Sequence, residues 1–415
     1  MSSMLPSPKG SSRHPAEMKM MKILMIHWYY PPQIGGVETL LQLWGEQLAV
    51  RGHTVTILAA SLSEKDEIQR EKDPKVVRLA SFDPEKTGGP VLSEFRESIR
   101  GFFEENQFDI IHLHNMFAPL TPLRTAHLFE QGARHKIPML MHSHCMNDSQ
   151  MGKLLISLSW DDVIFVSKWH MEETLTFDLP FKKTNILYNG VKVDYFQKEK
   201  GNREKARRQI QATPEETVLL WPSRIVNPDG KPTTRKRLAT LLKAGAMVKE
   251  KTDRFKIMLM APAYGDEAVQ KQHLSAYDDL MKINDLYQNI VLLDVEHSYS
   301  FMRDVYAACD IMCLPSVDEV FGLVFIEAMA MEKIVVGTRS GALPEIVDDG
   351  ENGYLIEPDD DRQLAELLLN IFELDEKEKM AMGKRARAKV VENFSVDKMI
   401  DETVRIYKGF VPLSS

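Results

Sequence analysis

From Lys22 onward, short and nearly uninterrupted apolar runs alternate with amphipathic stretches, and the whole rhythm is run through twice. Apolar runs without polar alternation suit strands buried on both faces, and helices between them supply the covering layers. The pattern predicts strands at Lys22–His27, Thr54–Ala59, Asp109–His114, Pro138–His142 and Asp162–Val166. A second set follows at Val218–Trp221, Lys256–Met260, Ile290–Leu293, Asp310–Leu314 and Ile334–Gly337. Helices are expected over Val37–Val50, Leu123–His135, Lys236–Lys249, Ser300–Ala307, Gly322–Met331 and Asp361–Phe372, with two more near Lys377–Val391 and Val396–Tyr407. Two successive doubly wound parallel sheets are the simplest fold for such a chain. The break falls near Tyr188-Asn189-Gly190-Val191, and the charged run Gln197–Gln211 beyond it reads as a solvated helix face.

Composition narrows the function. Of the 415 residues 44% are apolar and 27% charged, ordinary globular usage that argues against a disordered or fibrous chain. Lys and Arg number 52 against 60 Asp and Glu, a net charge of −8 that exerts no global pull on nucleic acid. Three cysteines, Cys145, Cys309 and Cys313, do not make a disulfide framework, which fits a reducing compartment. No apolar run approaches the ~18 to 20 residues that span a bilayer, and residues 1–20 lack the apolar core of a signal peptide. The expectation is a flexible tail on a cytoplasmic protein, with peripheral contact at the inner membrane face left open.

In open α/β sheets, ligands lie beyond the carboxyl ends of the strands. After the first strand comes His27 to Glu38, where Gly35 and Gly36 precede a helix; adjacent glycines there let backbone amides approach an anion, though a plain tight turn explains them equally. Two His-x-His pairs, His112/His114 and His142/His144, end later strands, and positions i and i+2 share a face, so four imidazoles could converge. They read either as hydrogen-bonded cleft and packing residues or as a metal site. In the second half Ser223-Arg224 follows a strand and Arg235-Lys236-Arg237 opens the next helix, where cations oppose the helix dipole unless an anion sits nearby. From Val320 to Met331 the single charge is Glu327, a carboxylate that needs donors in so apolar a run; Glu319 precedes it by eight residues, and a salt bridge is the structural alternative. Asp359-Asp360-Asp361 reads as helix capping.

These residues, in this order, resemble the retaining glycosyltransferases of family 4 (group 1), of the GT-B fold. The resemblance runs from about Lys22 to Tyr407. It is carried by Pro31–Glu38, Arg51–Val55, Asp109–His114, Val166-Ser167, Asn189-Gly190-Val191, Ser223-Arg224, the Glu-x7-Glu element Glu319–Glu327, Gly341–Glu345 and Asn352-Gly353. It implies two Rossmann-like domains facing across a cleft: residues 21–190 binding the acceptor and 191–395 the nucleotide sugar, with 396–415 a helix crossing back to the first domain. It implies that Gly35 and Gly36 close over the donor diphosphate, that His144 contacts the transferred sugar, and that Arg224 and Lys236 are the cationic pair on the diphosphate. By the same resemblance Glu319 holds sugar hydroxyls, Glu327 holds ribose hydroxyls, and backbone groups of Phe321, Gly322, Leu323 and Val324 line the phosphate and sugar. The chain departs from the family pattern at Lys236-Arg237, where Lys-Gly is usual, and at Ala330-Met331-Glu332, where Ala-x-Gly is common. The implied activity is that of a nucleotide-sugar-dependent hexosyltransferase with no cofactor and no obligatory metal. The donor is UDP-, GDP- or ADP-linked, and the acceptor is unassigned, with lipid-linked and polysaccharide acceptors as open as small metabolites. A nucleotide-sugar 2-epimerase of the same fold and a histidine-ligated metal hydrolase are the competing readings.

Overall fold

A computed structural model of the chain describes residues 20–33, 35–63, 65–69, 74–83, 89–115, 121–146, 149–223, 234–261, 281–282, 285–294 and 299–411. They form two lobes, each built on one sheet. In the first lobe the strands are β1 (Lys22–Ile26), β2 (Thr54–Ala60), β3 (Glu67–Gln69), β4 (Lys75–Leu79), β5 (Ile110–His114), β6 (Met139–Ser143), β7 (Asp162–Phe165) and β8 (Thr184–Ile186). Their spatial order is β3-β4-β2-β1-β5-β6-β7-β8. All neighbours pair in parallel except β3 with β4. In the second lobe β9 (Thr217–Trp221), β10 (Phe255–Ala261), β11 (Ile290–Asp294), β12 (Ile311–Cys313), β13 (Ile334–Thr338) and β14 (Tyr354–Ile356) stand in the order β11-β10-β9-β12-β13-β14, all parallel.

The strands at the centre of each sheet are the ones that sequence pattern predicts, because burial on both faces demands continuous apolar side chains. Ile23, Leu24, Met25 and Ile26 of β1 are fully buried. The strands not read from the sequence are peripheral ones. β4 carries Arg78, which breaks its apolar run, yet Arg78 is buried and donates to the backbone oxygens of Ala60 and Pro31. β3, β8 and β14 are three residues each, too short to register as runs.

Each sheet reverses its winding once, between β1 and β5 and between β9 and β12. Among the described residues, the segments leaving those four strands are His27–Gln33 with Gly35 and Gly36, Asn115, Pro222-Ser223 and Leu314–Gly322. They are therefore the natural walls of a ligand crevice.

The lobes are joined by a crossover of two backbone segments. Val191 N donates to Phe394 O at 2.9 Å and Val396 N to Val191 O at 3.0 Å. Gly190 passes so close that a Cβ there would sit 2.7 Å from Ser395 O. The helix Val396–Lys408 then lays Met399, Ile400, Val404 and Tyr407 into the core that holds Ile23, Leu41 and Trp44 of the first lobe. Trp44 Nε1 donates to Thr403 Oγ1 at 2.9 Å, pinning that contact.

Of two local expectations, one holds and one needs correction. The Gln197–Gln211 run is solvent-exposed along most of its length, with Ala206, Arg207 and Ile210 buried against the second lobe. Its helix spans Arg203–Gln209, and Arg203 and Arg207 turn onto Asp310, with Arg207 Nη1 3.0 Å from Asp310 Oδ2 and buried. Its buried face carries Arg207 between the apolar Ala206 and Ile210, and the half-buried Asp310 carboxylate pairs with that arginine. The Arg235–Arg237 cluster does not open a helix. Arg237 has φ +49, and the helix begins at Leu238, which places the cations in the preceding turn. Asp360 does cap its helix, accepting from Gln363 N at 2.8 Å.

Candidate functional site

The segment Pro315–Gly322 leaves the switch-point strand β12 and is clamped at its backbone. Val317 N donates to Arg235 O at 2.9 Å, and Ala342 N donates to Glu319 O at 2.7 Å. Gly341, with φ +63, lies so near that a Cβ there would be 2.5 Å from Glu319 N. These contacts bring Lys236 and Glu319 together. Lys236 Nζ donates to Glu319 Oε2 at 2.6 Å, and both side chains remain partly open, at 29% and 16% exposure. Arg237 likewise pairs with Asp359, at 2.7 Å.

Gly322 turns the chain into the helix Leu323–Ala330 at φ +98 and ψ 62. A side chain at Gly322 would be strained in that region and would meet Phe325 at 3.0 Å and Leu343 at 3.1 Å. The first amides of a helix lack intrahelical partners, so those of Leu323 and Val324 are free for an anion in front of the turn. Phe321, by contrast, is buried against Tyr188 and Phe394, so only its backbone faces the site. The first lobe approaches this same turn: a Cβ on Gly36 would be 3.4 Å from Leu323 Cδ1. Gly35 and Gly36 at the start of the helix Gly36–Val50 are thus brought to the helix start at Gly322–Val324. Arg224 lies outside the described residues, as do residues 1–19 of the expected tail.

Glu327 is not paired with Glu319 through any salt bridge. It sits one helical turn further on, partly buried, and accepts from the Tyr306 phenol at 2.8 Å. Burial raises its carboxyl to about 7, against the Tyr306 hydrogen bond, which lowers it. Tyr306 is fully buried, and burial together with Glu327 holds its phenol well above the usual range. Nothing in the sequence marks Tyr306, which belongs to the helix Tyr299–Ala308 and to no motif.

His144 lies in a different setting. The four histidines of the two His-x-His pairs do converge, as a two-by-two stack. Ring centroids are 4.1 Å apart within each pair, and 5.3 Å between His112 and His142 and between His114 and His144. The Trp44 indole stands 5.2 to 6.2 Å from all four. His114 Nδ1 and His144 Nε2 are 3.0 Å apart, and His112 Nδ1 is 2.6 Å from the Tyr407 hydroxyl. His27 Nδ1 lies 2.8 Å from His114 O, and its Nε2 lies 3.5 Å from Glu38. Asn115, at φ +45, accepts from His144 N at 2.7 Å.

Burial depresses the basicity of every imidazole in the stack, that of His112 to about 3. They are neutral at physiological pH, and a neutral imidazole is also the form that binds metal. Among the described residues His112, His114 and His142 form the one group with ligand atoms within 4.8 Å of one another. The near-parallel rings of His112 and His142, 9° apart, are stacked face to face rather than fanned around a common centre. Cys145 Sγ points to Asn115 at 3.6 Å rather than to a histidine.

Two family models match the chain, one on each lobe. That described as "Glycosyltransferase Family 4" covers residues 34–195, and "Glycosyl transferases group 1" covers residues 217–373. An uncharacterized glycosyltransferase of Methanocaldococcus jannaschii is 27% identical over 404 residues, spanning 94% of this chain and 98% of its own. The crystal structure of a glycosyltransferase from Rickettsia africae superposes with a TM-score of 0.76 at 20% identity, covering 95% of this chain and 100% of that one. The Anabaena protein HepE, solved in complex with UDP-glucose, superposes with a TM-score of 0.73 at 19% identity over 94% of this chain and 100% of its own. The two solved structures share the fold.

Proposed function

We propose that this chain, which belongs to the family 4 (group 1) glycosyltransferases and is a sugar-transferring enzyme of GT-B fold, uses a nucleotide-diphosphate sugar. The sugar passes to an acceptor hydroxyl with its anomeric configuration retained. The observation that carries the reading is the Lys236–Glu319 pair, 2.6 Å long and set directly before the Gly322 turn. A cation, a hydroxyl-gripping carboxylate and a helix start in one place match the three parts of such a donor: diphosphate, sugar and leaving-group charge. HepE was solved with UDP-glucose, which supports the same donor class here.

Breaking a glycosyl–phosphate bond builds positive charge on the sugar ring and negative charge on the departing diphosphate. The ring resembles the oxocarbenium state of glycoside hydrolysis. In the resting protein Lys236 and Glu319 neutralise each other. The donor would divide them, the diphosphate taking Lys236 and the sugar hydroxyls taking Glu319. The amides of Leu323 and Val324, and Arg224, would share the leaving-group charge. A single preorganised donor of this kind contributes roughly 3 to 4 kcal/mol to the transition state. Glu327, held by Tyr306, would accept the ribose hydroxyls. His144 would contact the transferred sugar from the other lobe as a neutral hydrogen-bonding group. Same-face attack, with a diphosphate oxygen accepting the acceptor's proton, retains configuration without a protein nucleophile. The proposed chemistry also calls for no metal ion, since Lys236, Arg224 and the helix amides supply the neutralising charge. The acceptor is assigned to the first lobe, with lipid-linked and polysaccharide acceptors both compatible.

Thermal-shift measurements with UDP, GDP, ADP and their sugars test this, because a ligand that binds the folded state alone raises its stability. At least one nucleotide sugar is expected to raise the midpoint and then to transfer its sugar with the anomeric coupling constant retained by NMR. No shift with any of them would refute the donor assignment. An epimer formed without acceptor would identify the 2-epimerase instead.

A further inference from the structure

The end of β7 in the first lobe runs into the helix Lys168–Leu175, whose first turn is closed by residues of both lobes. Ser167 caps it in the ordinary way, accepting from His170 N at 3.1 Å. The next two amides are taken by the other lobe: Glu345 Oε2 accepts from Lys168 N at 2.9 Å and Oε1 from Trp169 N at 2.7 Å. A carboxylate at a helix start is favoured both by those unpaired donors and by the helix dipole. Tyr188 OH adds a third hydrogen bond to Glu345, at 2.7 Å. The Ser167 hydroxyl, fully buried, donates in turn to Val320 O at 2.7 Å.

Apart from the Ser167 cap, each of these bonds ends on the donor loop or on its support. Val320 is the residue after Glu319. Glu345 closes the segment Gly341–Glu345, whose Gly341 and Ala342 already hold the Glu319 backbone. The loop is thus gripped on one side within its own lobe and on the other by the first lobe. Tyr188 also packs its ring on Phe321 and Phe394, beside the crossover where the lobes join.

We infer that Ser167 and Glu345 are positioning residues for sugar transfer: through them the first lobe holds the Glu319–Phe321 loop in the register that grips the donor sugar. This rests on the donor reading above. Neither residue touches the donor in that reading. They act through Val320 and Glu319, so their loss displaces the sugar-binding carboxylate and leaves the ribose and diphosphate groups in place. A displacement of about 1 Å at such a point is enough to cost up to about a hundredfold in rate.

The test uses the full-length chain with Glu345→Ala, Glu345→Gln and Glu319→Ala, singly and with Glu345→Ala combined with Glu319→Ala. Hydrogen exchange of the ligand-free protein comes first. In Glu345→Ala, residues 317–321 and 168–172 are expected to exchange at least about tenfold faster while the sheet strands keep their protection. In steady-state kinetics kcat is expected to fall at least about tenfold. Affinity for the matching nucleoside diphosphate is expected to stay within about twofold, since that ligand lacks the sugar. Glu345→Gln, which keeps one acceptor oxygen, falls between. Glu345→Ala added to Glu319→Ala costs little more, because the two act in series.

Unchanged exchange in 317–321 would overturn the inference, as would full additivity with Glu319→Ala or an unaltered kcat in a variant whose loop has loosened. If the wild-type protein turns over no nucleotide sugar, the donor reading fails, and the exchange measurement still decides whether the contact holds the loop.

Discussion

The two lobes gather opposite chemistry around their switch points. On the second lobe the groups are ionic: Lys236 against Glu319, then Glu327, around a helix start. On the first lobe they are aromatic: four stacked, neutral imidazoles buried with Trp44 and Tyr407, and beside them His27, 3.5 Å from Glu38. Under the proposed donor reading the difference divides the tasks. A departing diphosphate needs fixed positive charge, and Lys236 on the second lobe supplies it. A neutral sugar ring needs hydrogen-bonding groups that add no charge, and on that proposal His144 of the first lobe is one.

The sharpest way to break this division is to remove the charge. Lys236→Ala and Glu327→Ala should each lower kcat/KM at least about a hundredfold while the far-ultraviolet circular dichroism stays native, the scale seen for lost electrostatic donors. Near wild-type turnover in either folded variant would undo the second lobe's role.

A smaller loss is expected at the turn itself. Gly322→Ala places a Cβ at φ +98, costing roughly 1 to 2 kcal/mol of backbone strain and crowding Phe325. Nucleoside diphosphate affinity should fall about tenfold, measured by calorimetry, as the amides of Leu323 and Val324 shift. An unchanged affinity would remove those amides from the site.

The first lobe is tested through acid. The buried imidazoles have depressed basicity in the folded state, so the unfolded chain takes up protons first as pH falls. Their contribution to stability is complete above about 6.5, the ordinary histidine value. It is lost as pH falls toward about 4 for His170 and about 3 for His112. Urea midpoints should therefore drop between pH 7.5 and 4.5, and His142→Gln should flatten the slope. A flat profile in the wild type would contradict the neutral stack.

The finest distinction concerns Tyr306. Its hydrogen bond lowers the Glu327 carboxyl against the rise from burial, and the balance lies at about 7. Tyr306→Phe should shift the acid limb of the donor KM profile to higher pH and change kcat by less than about threefold. An unshifted limb would mean that Glu327 is not the group titrating there.

Much of this was legible in the sequence. The central strands announce themselves because burial on both faces leaves no room for polar residues, and β1, β5, β9 and β12 fall where the apolar runs lie. The glycines and acids of the site are legible through their motifs. Three things are not. Arg78 and Arg207 are buried charges whose partners, backbone oxygens in one case and Asp310 in the other, lie distant in sequence. Tyr306 reaches Glu327 from a separate helix with no spacing that predicts it. Glu345 was visible as part of a motif, but its grip on Lys168 and Trp169 spans 177 and 176 residues and exists only once both lobes have folded. Local pattern reports what a residue is buried by, and not which distant partner satisfies it.

The most direct measurement is a calorimetric titration of UDP, GDP and ADP into wild-type protein and Lys236→Ala. The wild type should bind one of them, and the variant should bind that same nucleotide at least about tenfold more weakly. Equal affinity in the two proteins would contradict the claim that the second lobe's lysine neutralises the leaving diphosphate.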